Sequence, residues 1–250
     1  DDVFKLFGGF GNDTITGGNA GQTQGDTLDG SALTDNLTVT LNAPGAGTLT
    51  DGTNTATFTQ MERVVSGSGS DSITGSSGDD TIFNGAGADR INAGAGNDRI
   101  DLGAADGAND TVVLQDGSGN DVVTSFEGPT VNPDGSYTGR DQLDVSDLTD
   151  ADGNPVNVHD VTMTDNGSGS ALLTFPNGES VLLTGVSPTL AASPFYLQAL
   201  GVPLSDGTVS GTAGNDIIDA GYTGDPDGDR VDAGDTVLPG TGADDDLIEA

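Results

Sequence analysis

The residues most able to do chemistry are aspartates that recur at a fixed interval. Four of them lie nine residues apart, at Asp71, Asp80, Asp89 and Asp98. Glycine stands two residues before each one, at Gly69, Gly78, Gly87 and Gly96. Isoleucine stands two residues after each one, at Ile73, Ile82, Ile91 and Ile100. Because carboxylate oxygens are ligands that hard cations such as Ca²⁺ prefer, the spacing indicates repeated cation binding rather than a single catalytic centre.

The nine-residue spacing also predicts the local structure of each unit. One apolar residue in nine cannot face a core from a helix, whose apolar period is about 3.6 residues. Residues such as Asp71 to Thr74 are short or β-branched and suit a short strand, whereas the glycines supply the positive φ of a tight turn. Each unit is therefore predicted to be a turn plus a short strand. Two units make one coil of a flattened solenoid, so consecutive units lie on opposite edges and the isoleucines form an inward ladder.

This pattern resembles the RTX nonapeptide G-G-x-G-x-D-x-U-x, a calcium-binding β-helix repeat. The resemblance covers residues 8–38, 66–126 and 211–232. It implies an all-β fold built on a parallel β-roll, with several calcium ions between stacked turns, bound by turn carbonyls and repeat aspartates. The metal-site residues that it implies are Asp13, Gly69, Asp71, Gly78, Asp80, Gly87, Asp89, Gly96, Asp98, Asp110, Asp121 and Asp216. Asp26 and Asp35 are weaker echoes, because neither has a glycine two residues before it.

A second candidate cation site lies near the end of the chain. Four aspartates follow the spacing D-x-D-x-D-x-x-D, at Asp225, Asp227, Asp229 and Asp232. Alternate carboxylates on a loop can converge on one hard cation, and the other interpretation is a solvated acidic turn. An EF-hand is excluded, because Arg230 replaces the glycine and Thr236 the glutamate of that motif. A weaker version, for which a plain β-turn is favoured, consists of Asp150, Asp152 and Asn154.

Catalytic motifs are missing from the sequence. His159 is the one histidine and lies in VNVHDV, which we predict to be a strand. A Ser-His-Asp triad would need a serine in a strained turn nearby, and neither a G-x-S-x-G elbow nor an H-E-x-x-H zinc motif occurs. We therefore predict that the chain is not an enzyme.

The net charge restricts the possible partners. The 40 acidic residues outnumber six lysines and arginines, for a formal charge of -34. Such a surface excludes nucleic acid and anionic membranes as partners, and its self-repulsion opposes a compact fold unless cations neutralise it. The composition alone would also fit a flexible acidic linker, but the periodicity of Gly and Asp argues against that reading. The sequence contains no cysteine and therefore no disulfide. It also lacks the run of about 18 apolar residues that a membrane-spanning helix needs.

We predict three domains. Residues 1–126 form the RTX β-roll, with inserted side hairpins at 39–65. Residues 127–208 form an antiparallel β-sandwich-like plug, with a short helix near 193–200 that begins after Ser193. Residues 209–250 form a second, truncated calcium-binding run, and we interpret the chain as a piece of a longer protein.

The resemblance implies a secreted protein that leaves the cell unfolded through type I secretion machinery and folds outside on binding calcium. The leading hypothesis is a structural or adhesive module of a surface-layer, filament or adhesin protein, extracellular or on the cell surface. Its partners would be calcium and further copies in an oligomer, filament or lattice. The alternative is the C-terminal secretion and folding module of a type I secreted exoenzyme. A third possibility is attachment to a self-processing domain, and the full-length gene would discriminate among the three.

Overall fold

A computed structural model describes residues 2–18, 25–103, 106–151 and 153–204, and the backbone of two further short strands. Strands of the first half are β1 (Val3–Lys5), β2 (Asn12–Thr16), β3 (Thr27–Asp29), β4 (Thr38–Ala43), β5 (Ala46–Thr50), β6 (Thr55–Thr59), β7 (Arg63–Val65), β8 (Ser72–Thr74), β9 (Thr81–Phe83), β10 (Arg90–Asn92) and β11 (Arg99–Asp101). The remaining elements are β12 (Thr111–Gln115), β13 (Asn120–Thr124), β14 (Thr130–Val131), β15 (Tyr137–Thr138), β16 (Gln142–Asp147), β17 (Thr162–Asp165), β18 (Ala171–Thr174), β19 (Ser180–Leu183), α1 (Pro188–Ala191), α2 (Pro194–Ala199), β20 (Thr208–Ser210) and β21 (Leu247–Glu249).

The chain winds into a parallel β-roll with two walls. Sheet A has the strand order β1-β3-β7-β9-β11-β13-β19-β18-β17, and sheet B has the order β16-β12-β10-β8-β4-β5-β6-β2. In sheet B, Ile73 pairs in parallel with Ile91, and in sheet A, Ile82 pairs in parallel with Ile100. Strands that pair are thus two units apart along the sequence, and consecutive units lie in opposite sheets. This arrangement confirms the predicted all-β roll with two nonapeptides in each coil.

The core of the roll is a thin ladder of aliphatic side chains between the two sheets. The buried positions of the regular coils are Ile73, Ile82, Ile91, Ile100, Val112 and Val123. Ile82 in sheet A is 1% exposed, and Ile91 in sheet B is 0% exposed. The structure therefore confirms that the isoleucine of each unit points inward from alternate walls.

Replacing Ile82 with Ala is expected to cost roughly 2–5 kcal/mol of unfolding free energy, because a ladder one side chain thick cannot collapse around the cavity. Thr81→Ala is the matched control, since Thr81 is the preceding residue of the same strand and is partly exposed. Urea denaturation in saturating calcium measures both variants. Equal losses of stability for the two variants would contradict the prediction that the side chain of Ile82, and not that of Thr81, points into the core.

The segment at 39–65, predicted as side hairpins, is built into the wall of the roll. The strands β4, β5 and β6 form an antiparallel meander within sheet B, between β8 and β2. β4 keeps the parallel register of the coil, with Val39 opposite Ile73, and its alternation buries Val39 and Leu41 in the core. Buried Met61 precedes β7, which returns the chain to sheet A. Because the meander supplies apolar residues on one face, it extends the core instead of standing beside it.

The plug, residues 127–208, continues both walls of the roll. β16 pairs in parallel with β12 in sheet B, and β19 pairs in parallel with β13 in sheet A. β18 and β17 then extend sheet A in antiparallel fashion, so these strands of the plug continue the sheets of the roll, whereas β14 and β15 form a separate two-stranded sheet. The division into three domains stays a prediction.

Two short helices follow the last strand of the plug. α1 packs on β17 and β18, and α2 begins at Pro194 directly after Ser193, at the position predicted for a helix. The ring of Tyr196 in α2 meets Tyr137 edge to face at 5.2 Å between centroids. No helix in the described part of the chain is long and apolar enough to cross a membrane.

Candidate metal centre

The glycine-rich turns of successive coils stack in close backbone contact. Gly87 has a φ of +105°, and a Cβ added to it would lie 2.2 Å from the carbonyl oxygen of Gly69. Gly96 has a φ of +128°, and its Cβ would lie 2.7 Å from the carbonyl carbon of Gly78. Any other residue at Gly87 or Gly96 would be strained and would force the stacked turns apart. The four predicted turn glycines thus bring carbonyl groups of neighbouring coils together.

The repeat aspartates that precede the strands of sheet B form a continuous hydrogen-bonded series, which we call the first ladder. The backbone N–H of Asp71 donates to Oδ1 of Asp89 at 2.7 Å. In the same way, the N–H of Asp89 donates to Asp110 at 2.9 Å, and the N–H of Asp110 donates to Asp141 at 3.0 Å. All four side chains are buried. A carboxylate therefore lies between each pair of successive coils along this edge.

The opposite edge, before the strands of sheet A, carries the second ladder. The N–H of Asp80 donates to Oδ1 of Asp98 at 2.8 Å, and the N–H of Asp98 donates to Oδ1 of Asp121 at 2.9 Å. The structure thus confirms the expected neighbours, because Asp71 lies beside Asp89 and Asp80 lies beside Asp98.

The second carboxylate oxygen of several ladder residues closes the turn of its own repeat. Oδ2 of Asp71 accepts from the N–H of Gly67 at 3.0 Å, and Oδ2 of Asp80 accepts from the N–H of Ser76 at 2.7 Å. Oδ2 of Asp89 accepts from the side-chain amide of Asn84 at 2.6 Å. Oδ2 of Asp98, by contrast, is buried without a hydrogen-bond partner. The carboxylates of Asp71, Asp80 and Asp89 therefore link their own turns to the neighbouring coils, whereas at Asp98 one oxygen stays available to a ligand.

Burial makes the ionised form of these carboxylates unfavourable. Desolvation, reinforced by the neighbouring carboxylates of Asp71 and Asp110, raises the pKa of Asp89 to about 7. Desolvation, with Asp121 and Asp80 nearby, likewise raises the pKa of Asp98 to about 7. Stacked carboxylates at this depth need either protons or a cation, and a divalent cation between them offsets both the burial and the repulsion.

The same effect extends along both ladders. Desolvation raises the pKa of Asp110 and of Asp121 to about 6, and it raises the pKa of Asp80 and of Asp141 as well. The raised pKa values follow the ladders rather than one isolated pair of residues. The edges of the roll therefore carry a series of candidate cation sites.

The ligand chemistry of such sites is that of a hard cation. Ca²⁺ takes about six to eight oxygen ligands in flexible geometry. Within the described ranges, no three acidic, histidine or cysteine side chains converge on one point. An ion between two turns would therefore complete its shell with backbone carbonyls, which the glycine turns bring to the same edge.

A family model for the RTX calcium-binding nonapeptide repeat matches the chain in four copies, over residues 5–20, 61–91, 85–107 and 205–222. The chain carries RTX calcium-binding repeats. The two central matches coincide with the coils in which both ladders are regular, so calcium is the ion that these RTX turns take. No curated protein matches the chain.

Some of the predicted site residues lie apart from the ladders. Asp13 is exposed on β2, and the strand that pairs with β2 in the described residues is β6 of the meander, not a strand of a regular coil. Asp13 therefore stays a predicted calcium ligand, and Asp35 is also exposed. Five predicted ligands fall outside the described residues, namely Asp216, Asp225, Asp227, Asp229 and Asp232.

Two weaker candidates have plain structural roles. Asp150 closes a turn with Asn154, whose N–H donates to Oδ1 of Asp150 at 2.8 Å, while Asp152 falls outside the described residues. His159 is exposed in a turn and not in a strand, so the strand predicted for VNVHDV is wrong. Its N–H donates to Oδ1 of Asn157 at 2.8 Å, a local bond that favours the turn over an extended strand.

Sequence reasoning missed three acidic residues that occupy ladder positions. Asp26, only 1% exposed, accepts from the N–H of Asp2 at 2.6 Å, and the N–H of Asp26 donates to Glu62 at 2.6 Å. Asp141 ends the first ladder and also accepts from the N–H of Glu127 at 2.6 Å. Each of the three stands two residues before a buried aliphatic residue. The signal is therefore the acid-x-apolar spacing alone, without the preceding glycine.

Proposed function

We propose that this chain is an extracellular structural or adhesive module of a larger secreted RTX protein, and that it folds around calcium. The observation that supports the proposal is the pair of aspartate ladders. Their buried carboxylates stack from coil to coil, and among the described residues no lysine or arginine forms an ion pair with them. A fold with such edges is stable only when cations occupy them.

The proposed sites lie between successive turns on both edges. On one edge, the carboxylates would come from Asp71, Asp89, Asp110 and Asp141, and on the other edge from Asp80, Asp98 and Asp121. Carbonyls of the turns that contain Gly69, Gly78, Gly87 and Gly96 would complete each shell. Because every ion would join two coils, its binding free energy would be folding free energy.

The extracellular location follows from the calcium requirement. Calcium-binding extracellular modules have Kd values of about 10⁻⁴–10⁻³ M, so they fill outside the cell and stay empty inside it. A chain with no cysteine needs no oxidative folding, and an unfolded acidic chain suits export through type I secretion machinery. Assembly into an oligomer, filament or lattice stays a prediction.

A structural role is also favoured over catalysis by the side chains that the fold brings together. The titratable groups with strongly raised pKa values belong to the stacked ladders, where they bind backbone N–H groups of neighbouring coils. The exposed His159 lies in a turn that ends before β17. The module would therefore act through its shape and its calcium-dependent stiffness.

Asp89→Asn tests this proposal, because it removes one charge from the middle of the first ladder and keeps the side-chain shape. We expect calcium-induced folding of the wild type with a midpoint of about 10⁻⁴–10⁻³ M, and a midpoint roughly tenfold higher for Asp89→Asn. The matched control is Asp134→Asn, which removes an exposed carboxylate between β14 and β15. Circular dichroism during calcium titration measures all three proteins.

Two results would count against the proposal. A titration of Asp89→Asn that superimposes on the wild type would show that the first ladder holds no calcium. A wild-type midpoint far below micromolar would mean that cytosolic calcium already fills the sites, which would contradict a fold switched on outside the cell.

A further inference from the structure

The last RTX turn in the described part of the roll, residues 116–121 and called the last RTX turn below, has a neighbour of a different kind. The turn that stacks on it belongs to the hairpin between β18 and β19 rather than to a repeat. The N–H of Ser180 donates to the carbonyl of Gly119 at 2.9 Å, and Asn120 pairs with Ser180. The residue opposite Gly119 is therefore Glu179, which comes from the plug.

Glu179 makes the hydrogen bond that a repeat aspartate makes in earlier turns. In those turns, Asp71 and Asp80 accept from the N–H of the residue four positions before them. In the last turn, the corresponding N–H belongs to Gly117, and it donates to Oε1 of Glu179 at 2.8 Å. A carboxylate from outside the repeats thus takes the position of a ladder carboxylate.

Two oxygens at this turn are buried without a partner. Glu179 is 7% exposed, and its Oε2 has no hydrogen-bond partner. Ser118, the residue after Gly117, is 2% exposed, and its Oγ also has no partner. In the described part of the chain, Glu179 forms no ion pair with a lysine or arginine. Since an ionised carboxylate is costly to bury alone, these oxygens point to a cation.

The two aspartates of this turn have other partners: Asp121 belongs to the second ladder, and Asp116 is bound to the plug. Asp116 accepts from the hydroxyl of Thr149 at 2.6 Å and from its N–H at 3.1 Å. These bonds tie the turn to the chain between β16 and β17, and they occupy both carboxylate oxygens of Asp116. Glu179 is therefore the carboxylate of the plug that has an oxygen free for a ligand at this turn.

We infer that Glu179 and Ser118 bind an additional calcium ion at the last RTX turn, together with turn carbonyls. This inference rests on the proposed function, in which RTX turns hold calcium between coils. The ion closes the second ladder with a ligand from a hairpin turn that is not a repeat. Calcium at this position therefore fastens β19, and with it the plug, to the end of the roll.

Glu179→Gln tests the inference, because glutamine keeps an oxygen that can accept from the N–H of Gly117 but loses the charge. Native mass spectrometry of the full chain counts calcium ions in the wild type, in Glu179→Gln and in the control Asp134→Asn. We expect one ion fewer for Glu179→Gln and no change for the control. Crystals of the wild type grown with calcium should show an anomalous peak about 2.3–2.6 Å from an oxygen of Glu179.

The outcomes separate this inference from the function on which it rests. Calcium in the ladders, an unchanged ion count for Glu179→Gln and no peak near Glu179 would overturn the inference and leave the proposed function intact. A wild type that binds no calcium would overturn both. If Glu179→Gln fails to fold, the anomalous map of the wild type decides alone, because it locates the ion without any substitution.

Discussion

Excess chelator is expected to unfold the roll and leave most of the chain as coil, and millimolar calcium is expected to restore its strands. The physical reason is that the core is only one aliphatic side chain thick in the regular coils, so apolar burial alone offsets little of the lost chain entropy. At neutral pH, the stacked carboxylates of both ladders would repel one another without a cation. We therefore expect the roll to have no stable calcium-free form near pH 7.

The plug should be lost together with the roll. β16 and β19 pair with β12 and β13, the last strands of the roll, and β18 in turn pairs with β19. When the roll unwinds, the backbone groups of β16 and β19 lose these partners. We therefore expect one cooperative transition rather than a stable plug.

Far-UV circular dichroism and size-exclusion chromatography measure the transition as calcium is removed and returned. Magnesium at the same concentration is the control, because it demands near-octahedral geometry and gives up its water reluctantly, so it should not restore the strands. A spectrum that chelator leaves unchanged would contradict calcium-coupled folding.

The sequence predicted the regular coils well, because the repeat is a local property. Within one nonapeptide, the turn depends on Gly87, the ladder on Asp89 and the core on Ile91. A fixed spacing also sets the register between coils, since identical units stack identically. The pairing of Asp71 with Asp89 could therefore be predicted without the structure.

The irregular coils could not be predicted in the same way. Asp26 and Glu62 lie 36 residues apart but adjoin each other in space, because the meander is inserted between their coils. The missing glycine two residues earlier left Asp26 as a weaker echo of the motif, although its carboxylate and its N–H both make ladder-type hydrogen bonds. Conversely, Asp13 fits the motif but lies on β2, which pairs in the described residues with β6 of the meander.

Glu179 shows a second limit of sequence reasoning. The N–H that donates to Glu179 belongs to Gly117, which lies 62 residues away in the sequence. The hairpin that contains Glu179 matches no repeat pattern. Glu179 reaches the roll because β19 pairs with β13. The alternation of apolar residues in β19 does not specify which strand β19 pairs with. Which RTX turn a carboxylate from outside the repeats contacts can thus be recognised only once the topology is known.

In calcium-free solution, acidification from about pH 8 to pH 5 is expected to restore part of the strand signal, because protons can replace calcium in neutralising the ladders. The folded-state pKa values of Asp89 and Asp98 are about 7, raised by burial from the ordinary value of 3.8. Between these two values, the folded state binds more protons than the unfolded state. Linkage then requires that stability falls as pH rises through this window and is regained as pH falls.

Calcium should reverse the sign of this dependence. The ion binds the ionised carboxylates, so protons compete with it, and the calcium-bound form should become less stable as pH falls below 7. Circular dichroism between about pH 5 and pH 8 measures both curves, one after exhaustive removal of calcium on a chelating resin and one in saturating calcium. Asp89→Asn is the control: asparagine does not titrate, so the calcium-free curve should become less steep, while Asp98 and the other ladder carboxylates keep its sign. Calcium-free strand content that rises with pH across this range would contradict the buried, raised-pKa ladder, because only carboxylates stabilised in their ionised form would give that sign.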